Sequence, residues 1–300
     1  MLNYITWNVN PEIFSIGPVT VRWYGLLWAL AIYAAWIIVQ KLFKHEKYPE
    51  VWSDKLFFYT VIGLIVGARL GHCLFYGVDG DFFYYYRNPF EMIKVWEGGL
   101  ASHGGAIGIM TAMYFYNKNV TKKGYIWIFD RLVIGVAVGG ALIRFGNLMN
   151  HEIYGGPTDL PWGFQFITNL TAWTNGQAPI YTAPSHPTQI YEMLYSLVTF
   201  GVIWWMYWKK QAYKKRGLIF GVFLLGIFGT RFLLEFIKLN QESFEANMFF
   251  NMGQVLSIPF IVWGIWLVVR AVRSPEVDDS VSVADNKPPV GTGRKKKAKS

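Results

Sequence analysis

The stretch YIWIFDRLVIGVAVGGALIRFGNL, Tyr125–Leu148, holds twelve uncharged positions between Arg131 and Arg144. As a helix rising 1.5 Å per residue it covers roughly 36 Å, enough to cross the hydrocarbon core of a bilayer. Six further apolar runs flank it, at Pro18–Gln40, Leu56–Gly77, Gly98–Tyr116, Thr188–Trp208, Gly217–Ile237 and Phe250–Val269. The pattern predicts an all-α polytopic membrane protein with about seven transmembrane helices. Composition agrees: 53% of residues are hydrophobic and 16% charged, with a mean hydropathy of +0.25. A soluble domain carries roughly a quarter charged residues.

The net charge of +9 is distributed by connection. Twenty Lys and Arg lie in the segments 41–55, 117–124, 209–216 and beyond 269, against three in the alternate segments. Basic residues are retained on the cytoplasmic side, so the N-terminus is expected outside and the C-terminus in the cytoplasm. This distribution reads as membrane orientation, with no nucleic-acid partner. Residues 1–273 form the expected membrane domain. Within it, segment 149–187 has Trp162, Phe164, Phe166, Trp173 and Tyr181 among glycines and prolines, and is expected to form a small outer cap. Residues 274–300 are polar and basic, and are expected to be a disordered cytoplasmic tail.

Charge inside apolar spans is costly and marks function or a partner. Arg22, Arg69, Arg144 and Arg231, with His103, Glu192 and Glu235, all fall in the outer portions of their spans. Counting four arginines against two glutamates gives an expected excess of +2, suited to an anion. Arginine fits phosphate because its planar fork makes paired bonds and keeps its charge. Snorkelling of each arginine to the interface is the alternative. Asp130 and Arg131, at the inner end, read as a surface pair. Arg144 and Asn147 stand i, i+3, and Arg231 and Glu235 i, i+4, so each pair shares a helix face. In Glu97–Ala106, glycines on both sides of Ser102-His103 suggest an unwound stretch. Gly63, Gly67 and Gly71 read instead as close helix packing.

Other chemistry is excluded. His151-Glu152 begins an HExxH pattern, but position 155 is Gly, so no metal is expected. Cys73 is the single cysteine, which removes disulfides and CxxC sites. No Walker motif occurs, and no cofactor is expected. With no strong nucleophile of its own, the chain is expected to join two external substrates. A transporter or flippase of an anionic lipid or solute is the rival reading, and would need charges reachable from both faces.

Seven motifs carry a resemblance: Ser15-Ile-Gly-Pro18, Arg22-Trp-Tyr-Gly25, Gly98-Gly-Leu-Ala-Ser-His-Gly-Gly105, Arg144-Phe-Gly-Asn-Leu-Met-Asn-His-Glu-Ile-Tyr-Gly155, His186-Pro-Thr-Gln-Ile-Tyr-Glu192, Arg231-Phe-Leu-Leu-Glu-Phe236 and Met252-Gly-Gln-Val-Leu-Ser-Ile-Pro259. In this order, over roughly residues 12–270, the chain resembles the prolipoprotein diacylglyceryl transferase family. The resemblance implies a multi-pass enzyme of the bacterial cytoplasmic (inner) membrane with its site facing the periplasm. It would move the diacylglyceryl group of phosphatidylglycerol to the lipobox cysteine of prolipoprotein signal peptides, giving a thioether and glycerol phosphate. On this reading His103 is the candidate base, and Arg144 and Arg231 grip the phosphate. Asn147 and Tyr24 add neutral hydrogen bonds, and Glu152 and Glu235 hold the arginines. Arg69 and Gly155 complete the expected substrate-binding set.

Overall fold

The computed structural model describes residues 4–17, 19–78, 81, 83–95, 98–238 and 249–277. Its long helices follow the apolar runs: α1 Trp23–His45, α2 Glu50–Phe75, α3 Ser102–Tyr116, α4 Tyr125–Met149, α5 Thr188–Lys210, α6 Leu218–Ile237 and α7 Met252–Arg273. Among the described residues four short strands accompany them: β1 Ile5–Thr6, β2 Glu12–Ile16, β3 Val19–Arg22 and β4 Phe164–Gln165.

Helix α4 is the axle. Between Arg131 and Arg144 it is apolar on every side, which is the mark of a helix buried among others, and it packs against α1, α5 and the first turns of α6. Gly135 lets α1 approach: a Cβ there would lie 2.8 Å from Ala35 Cα. The α2–α3 pair is held by small residues, as expected for Gly63, Gly67 and Gly71. A Cβ on Gly63 would stand 2.6 Å from that of Ala112, and Gly67 and Gly71 press on the backbone of Gly104 and Gly108. The unwound stretch is therefore shorter than expected. Gly98 and Gly99 have φ of +88° and +67°, but His103 and Gly104 already belong to α3. Glu97 lies outside the described residues.

Five of the helices are long and apolar enough to cross a membrane: α1, α2, α4, α6 and α7. The expectation of seven meets two departures. Helix α3 has 15 residues, and α5 turns Thr188, Gln189, Glu192, Ser196 and Thr199 into the protein. The first span also begins later than the apolar run. Its β-branched Val19-Thr20-Val21 pairs as β3 with β2 in an antiparallel hairpin, and the helix starts at Trp23. Pro18 lies outside the described residues. Ser274–Val277 is not loose: the Val277 amide donates to the Lys214 carbonyl at 2.9 Å. The remainder of the expected tail, 278–300, lies outside the described residues.

The cap is ordered. Strand β1 pairs parallel with β4, and Leu148, Phe164 and Phe166 form a small core with Trp7, Phe145 and Tyr154. The Trp7 indole donates to the Leu148 carbonyl at 3.0 Å, fastening the N-terminal segment to the end of α4.

At the opposite end, Asp130 and Arg131 are fully buried rather than a surface pair. Neighbours on a helix point about 100° apart, so each takes its own partner. Arg131 grips Glu46, at 3.1 Å through Nε and again through Nη2, and donates from Nη1 to the Trp127 carbonyl at 2.9 Å. Tyr207 donates to the same glutamate at 2.8 Å. The Asp130 carboxylate accepts the amides of Gly217 and Phe220, at 2.7 and 2.9 Å, and so caps the start of α6.

Candidate active site

Under the cap, the end of α4, the start of α5 and the end of α6 bring their charges together. Arg144 lies in the last turns of α4, where its Nε pairs with Glu192 of α5. Its Nη1 donates to Asn147 Oδ1 at 3.1 Å, the i, i+3 contact expected from the spacing. Asn147 passes its own amide to Glu152 Oε1 at 2.9 Å, and Asn150 reaches the same oxygen at 3.4 Å. Gln189 of α5 donates to the Glu152 carbonyl at 2.7 Å, fixing the backbone that carries this carboxylate. Tyr24 joins from the first turn of α1. Its ring lies on Gly146, where a Cβ would stand 2.8 Å from Tyr24 Cδ2.

Glu192 is the hub. It is buried, and its second oxygen takes Lys238 Nζ at 2.5 Å. Lys238 stands 3.4 Å from Glu235 Oε1, and Glu235 stands 3.4 Å from Arg231 Nε. The Asn251 side chain donates to Glu235 Oε2 at 3.3 Å. Gly253, in the first turn of α7, leaves room for that carboxylate, since a Cβ there would lie 2.5 Å from Glu235 Cδ. A π-helical turn at Leu225–Gly229 immediately precedes Thr230 and Arg231, the kind of bulge that re-aims side chains at functional sites. The result is one relay: Arg144, Glu192, Lys238, Glu235, Arg231.

The relay is asymmetric. The carboxylates of Glu192 and Glu235 are 1% and 4% exposed, whereas Arg144 and Arg231 are 27% and 37% exposed. Arg144 Nη2 and both Nη atoms of Arg231 donate to no described residue. The acids are sunk as anchors, and the unspent donors face open space. Three cations, Arg144, Arg231 and Lys238, stand with three carboxylates, Glu192, Glu235 and Glu152. The expected excess of +2 is therefore not what suits this place to an anion. Oriented guanidinium donors do, since bonds to ionised groups are about twice as strong as neutral ones.

Gly155 serves as a joint. Its amide donates to the His186 carbonyl at 2.8 Å, and a Cβ would meet Thr188 Cγ2 at 2.7 Å and the Ile237 oxygen at 2.9 Å. It locks the cap onto the start of α5 and the end of α6, one residue before Lys238. His151 occupies both ring nitrogens on backbone, with Nε2 2.9 Å from the Val9 carbonyl and Nδ1 accepting the Ile167 amide at 3.1 Å. Among the described residues no three His, Cys, Asp or Glu side chains gather as metal ligands.

The expected convergence of four arginines is corrected. Arg22 ends β3 and pairs with Glu12 at 3.0 Å on the exposed hairpin. Arg69 is 4% exposed and spends its guanidinium on carbonyls: Met92 at 3.0 Å, Glu91 at 2.7 Å, Gly98 at 2.6 Å and Gly99 at 3.3 Å. Its depth suits it to tie the short 3₁₀ turn Pro89–Ile93 to the Gly98-Gly99 segment. His103 is exposed on the first turn of α3 and makes no hydrogen bond or ion pair with a described residue. Sequence reasoning passed over Lys238, as a connection residue, and Tyr195, whose phenol feels the charges of Glu192, Arg144, Arg231 and Glu235. Their i, i+3 spacing from Glu235 and Glu192 was the available signal.

The family model of prolipoprotein diacylglyceryl transferase matches residues 11–270. Among curated relatives, the phosphatidylglycerol–prolipoprotein diacylglyceryl transferase of Porphyromonas gingivalis is 47% identical over 91% of this chain and 96% of its own. Proteins of the same name from Chloroherpeton thalassium and Tolumonas auensis are 42% and 38% identical, over 92% and 89% of this chain and 97% of each relative. With a family model spanning the membrane helices and the whole charge relay, this chain belongs to the prolipoprotein diacylglyceryl transferase family.

Proposed function

We propose that this chain transfers the diacylglyceryl group of phosphatidylglycerol to the thiol of the lipobox cysteine in prolipoprotein signal peptides. The observation that carries this reading, beside family membership, is the set of unspent guanidinium donors on Arg144 and Arg231, anchored by buried Glu192 and Glu235. They suit the phosphate of an anionic lipid. The excess of basic residues in alternate connections supports seven crossings of a bacterial inner membrane, with the N-terminus outside and the site facing the periplasm.

In this reading the cysteine sulfur attacks the glyceryl carbon that bears the phosphate. A C–S bond forms, the C–O bond breaks, and glycerol phosphate leaves with the electron pair. The thiol, with a reference pKa of about 8.5, gives its proton to His103, whose imidazole no described residue engages. Arg144 and Arg231 bind the phosphate and stabilise the charge that grows on the leaving oxygen, each such donor being worth about 2.7–4 kcal/mol in a water-poor site. Asn147, Tyr24 and Glu152 set the Arg144 fork, and Glu235 and Lys238 set that of Arg231. Gly155 holds the joint on which Lys238 stands. Arg69 acts at one remove, fastening Glu91 and the Gly98-Gly99 segment that precedes His103.

Purified protein incubated with phosphatidylglycerol and a lipobox peptide is the test. Glycerol phosphate release that requires the peptide's cysteine is expected. Release from a Cys→Ser peptide, or none from either, would end this reading.

A further inference from the structure

His151 stands in the turn after α4, between Asn150 and Glu152, with φ +54° and 4% exposure. The Ile167 amide that reaches its Nδ1 at 3.1 Å can only donate, and the Val9 carbonyl 2.9 Å from its Nε2 can only accept. This network assigns the proton to Nε2 and requires Nδ1 to stay bare. The neutral ring thus ties three segments together: the N-terminal arm, the α4–cap turn and the exit of β4. The next residue, Glu152, holds Asn147, and Asn147 holds Arg144.

A second proton on Nδ1 would set one N–H against another. The surroundings offer it no compensation. Phe166 and Trp173 present ring contacts at 6.3 and 6.1 Å, the arm presents the Val9 carbonyl, and β4 leads to the Ile167 amide. On its own turn the only titratable neighbour is Glu152, whose carboxylate is turned to Asn147 and Asn150. None of these elements shows a charged contact to the ring. We propose that His151 is a positioning residue whose neutral imidazole locks the Asn150–Glu152 turn, and through it the Arg144 fork, so that protonation loosens the anion grip. The link to the grip rests on reading Arg144 as a phosphate ligand; the lock itself does not.

The sign follows from linkage. Burial pushes the His151 pKa below the ordinary value of 6.5, so the folded chain binds this proton less readily than the unfolded one. Its contribution to stability is fully present above that value and is lost as pH falls below it.

The experiment uses the full-length chain in detergent micelles, comparing unmodified protein with His151→Gln at about pH 7.5 and about pH 5. Glutamine supplies one acceptor and one donor and does not titrate. The unmodified chain is expected to bind phosphatidylglycerol about tenfold more weakly at the lower pH, with a lower melting midpoint. The variant is expected to change its affinity by less than about twofold and to lose less of its midpoint. Parallel profiles for the two proteins would overturn the proposal. If the variant does not fold, hydrogen exchange of the Ile167 amide in the unmodified chain replaces it. Protection is expected to fall about tenfold in acid relative to the Thr182 amide, which donates to the Phe166 carbonyl, and unchanged relative protection overturns the proposal. A midpoint that shifts only in the unmodified chain, with no lipid binding at any pH, supports the lock and rejects the phosphate reading.

Discussion

The two ends of the helix bundle each gather arginines and glutamates, and they use them in opposite ways. At the end away from the cap, Arg131 is 1% exposed, and all three of its guanidinium nitrogens are engaged, by Glu46 and the Trp127 carbonyl. The guanidinium also lies 4.1 Å above the Trp127 ring. Under the cap, Arg144 and Arg231 are tethered on one side only, and their remaining donors have no partner among the described residues. Burial of charge is common to both ends. What separates a strut from a binding site is whether the donors are spent. The strut fixes α1, α4 and α5 to one another, while the cap end holds its carboxylates deep so that its cations stay aimed outward.

The comparison is most easily broken at the strut. Arg131→Met leaves Glu46 buried and unpaired, which costs about 3–5 kcal/mol of stability. The expected result is a large drop in the melting midpoint, with turnover per folded molecule unchanged. Pairing it with Glu46→Leu removes both charges and is expected to recover most of the loss. A single variant that melts like the parent would mean that the sealed pair is no strut. At the cap end the balance reverses. Arg144→Lys keeps the charge but loses the fork, and turnover should fall about 100- to 1,000-fold, equivalent to about 2.7–4 kcal/mol. The midpoint should move little, because Glu192 retains Lys238. Near-parental turnover would class Arg144 with the struts.

A smaller effect tests the joint between cap and helices. Gly155→Ala puts a methyl within 2.9 Å of the Ile237 oxygen and against Thr188, an overpacking worth about 1–3 kcal/mol. Because Lys238 follows Ile237, lipid affinity should fall along with the midpoint. Loss of stability with unchanged affinity would show that the joint does not position the relay.

The sequence made the helices legible because an apolar run long enough to span a bilayer has few other fates. It also exposed Arg144–Asn147 and Arg231–Glu235, where a fixed helical offset puts both groups on one face. It misread contacts that depend on how helices dock. Asp130 and Arg131 are adjacent in the chain, yet a helix turns them apart, to the amides at the start of α6 and to Glu46 just past the end of α1. Arg69 was legible as deep, but its partners are backbone carbonyls of a short 3₁₀ turn and of Gly98-Gly99, which no side-chain pattern announces. Hydropathy placed Lys238 beyond the end of a span, where it counted only as one basic residue of a connection. The 3₁₀ turn at Glu235–Ile237 instead brings it round to Glu192.

The smallest expected effect completes the series. Arg22 and Glu12 form an exposed ion pair, at 3.0 Å, with Arg22 60% exposed on the hairpin. Such pairs are worth at most about 1 kcal/mol and fade with salt. Arg22→Ala is therefore expected to shift the melting midpoint slightly at low salt and not at all at about 0.5 M, where the Debye length is shorter than at physiological ionic strength. The Arg131→Met loss should be unaffected by the same change, since bulk ions do not reach a sealed pair. Arg144 should fall between them, with its tether to buried Glu192 insensitive and its unspent donors sensitive, so that added salt weakens lipid affinity without lowering the midpoint. If salt moved the Arg131 and Arg22 losses together, solvent access would not be what divides these arginines into struts and ligands.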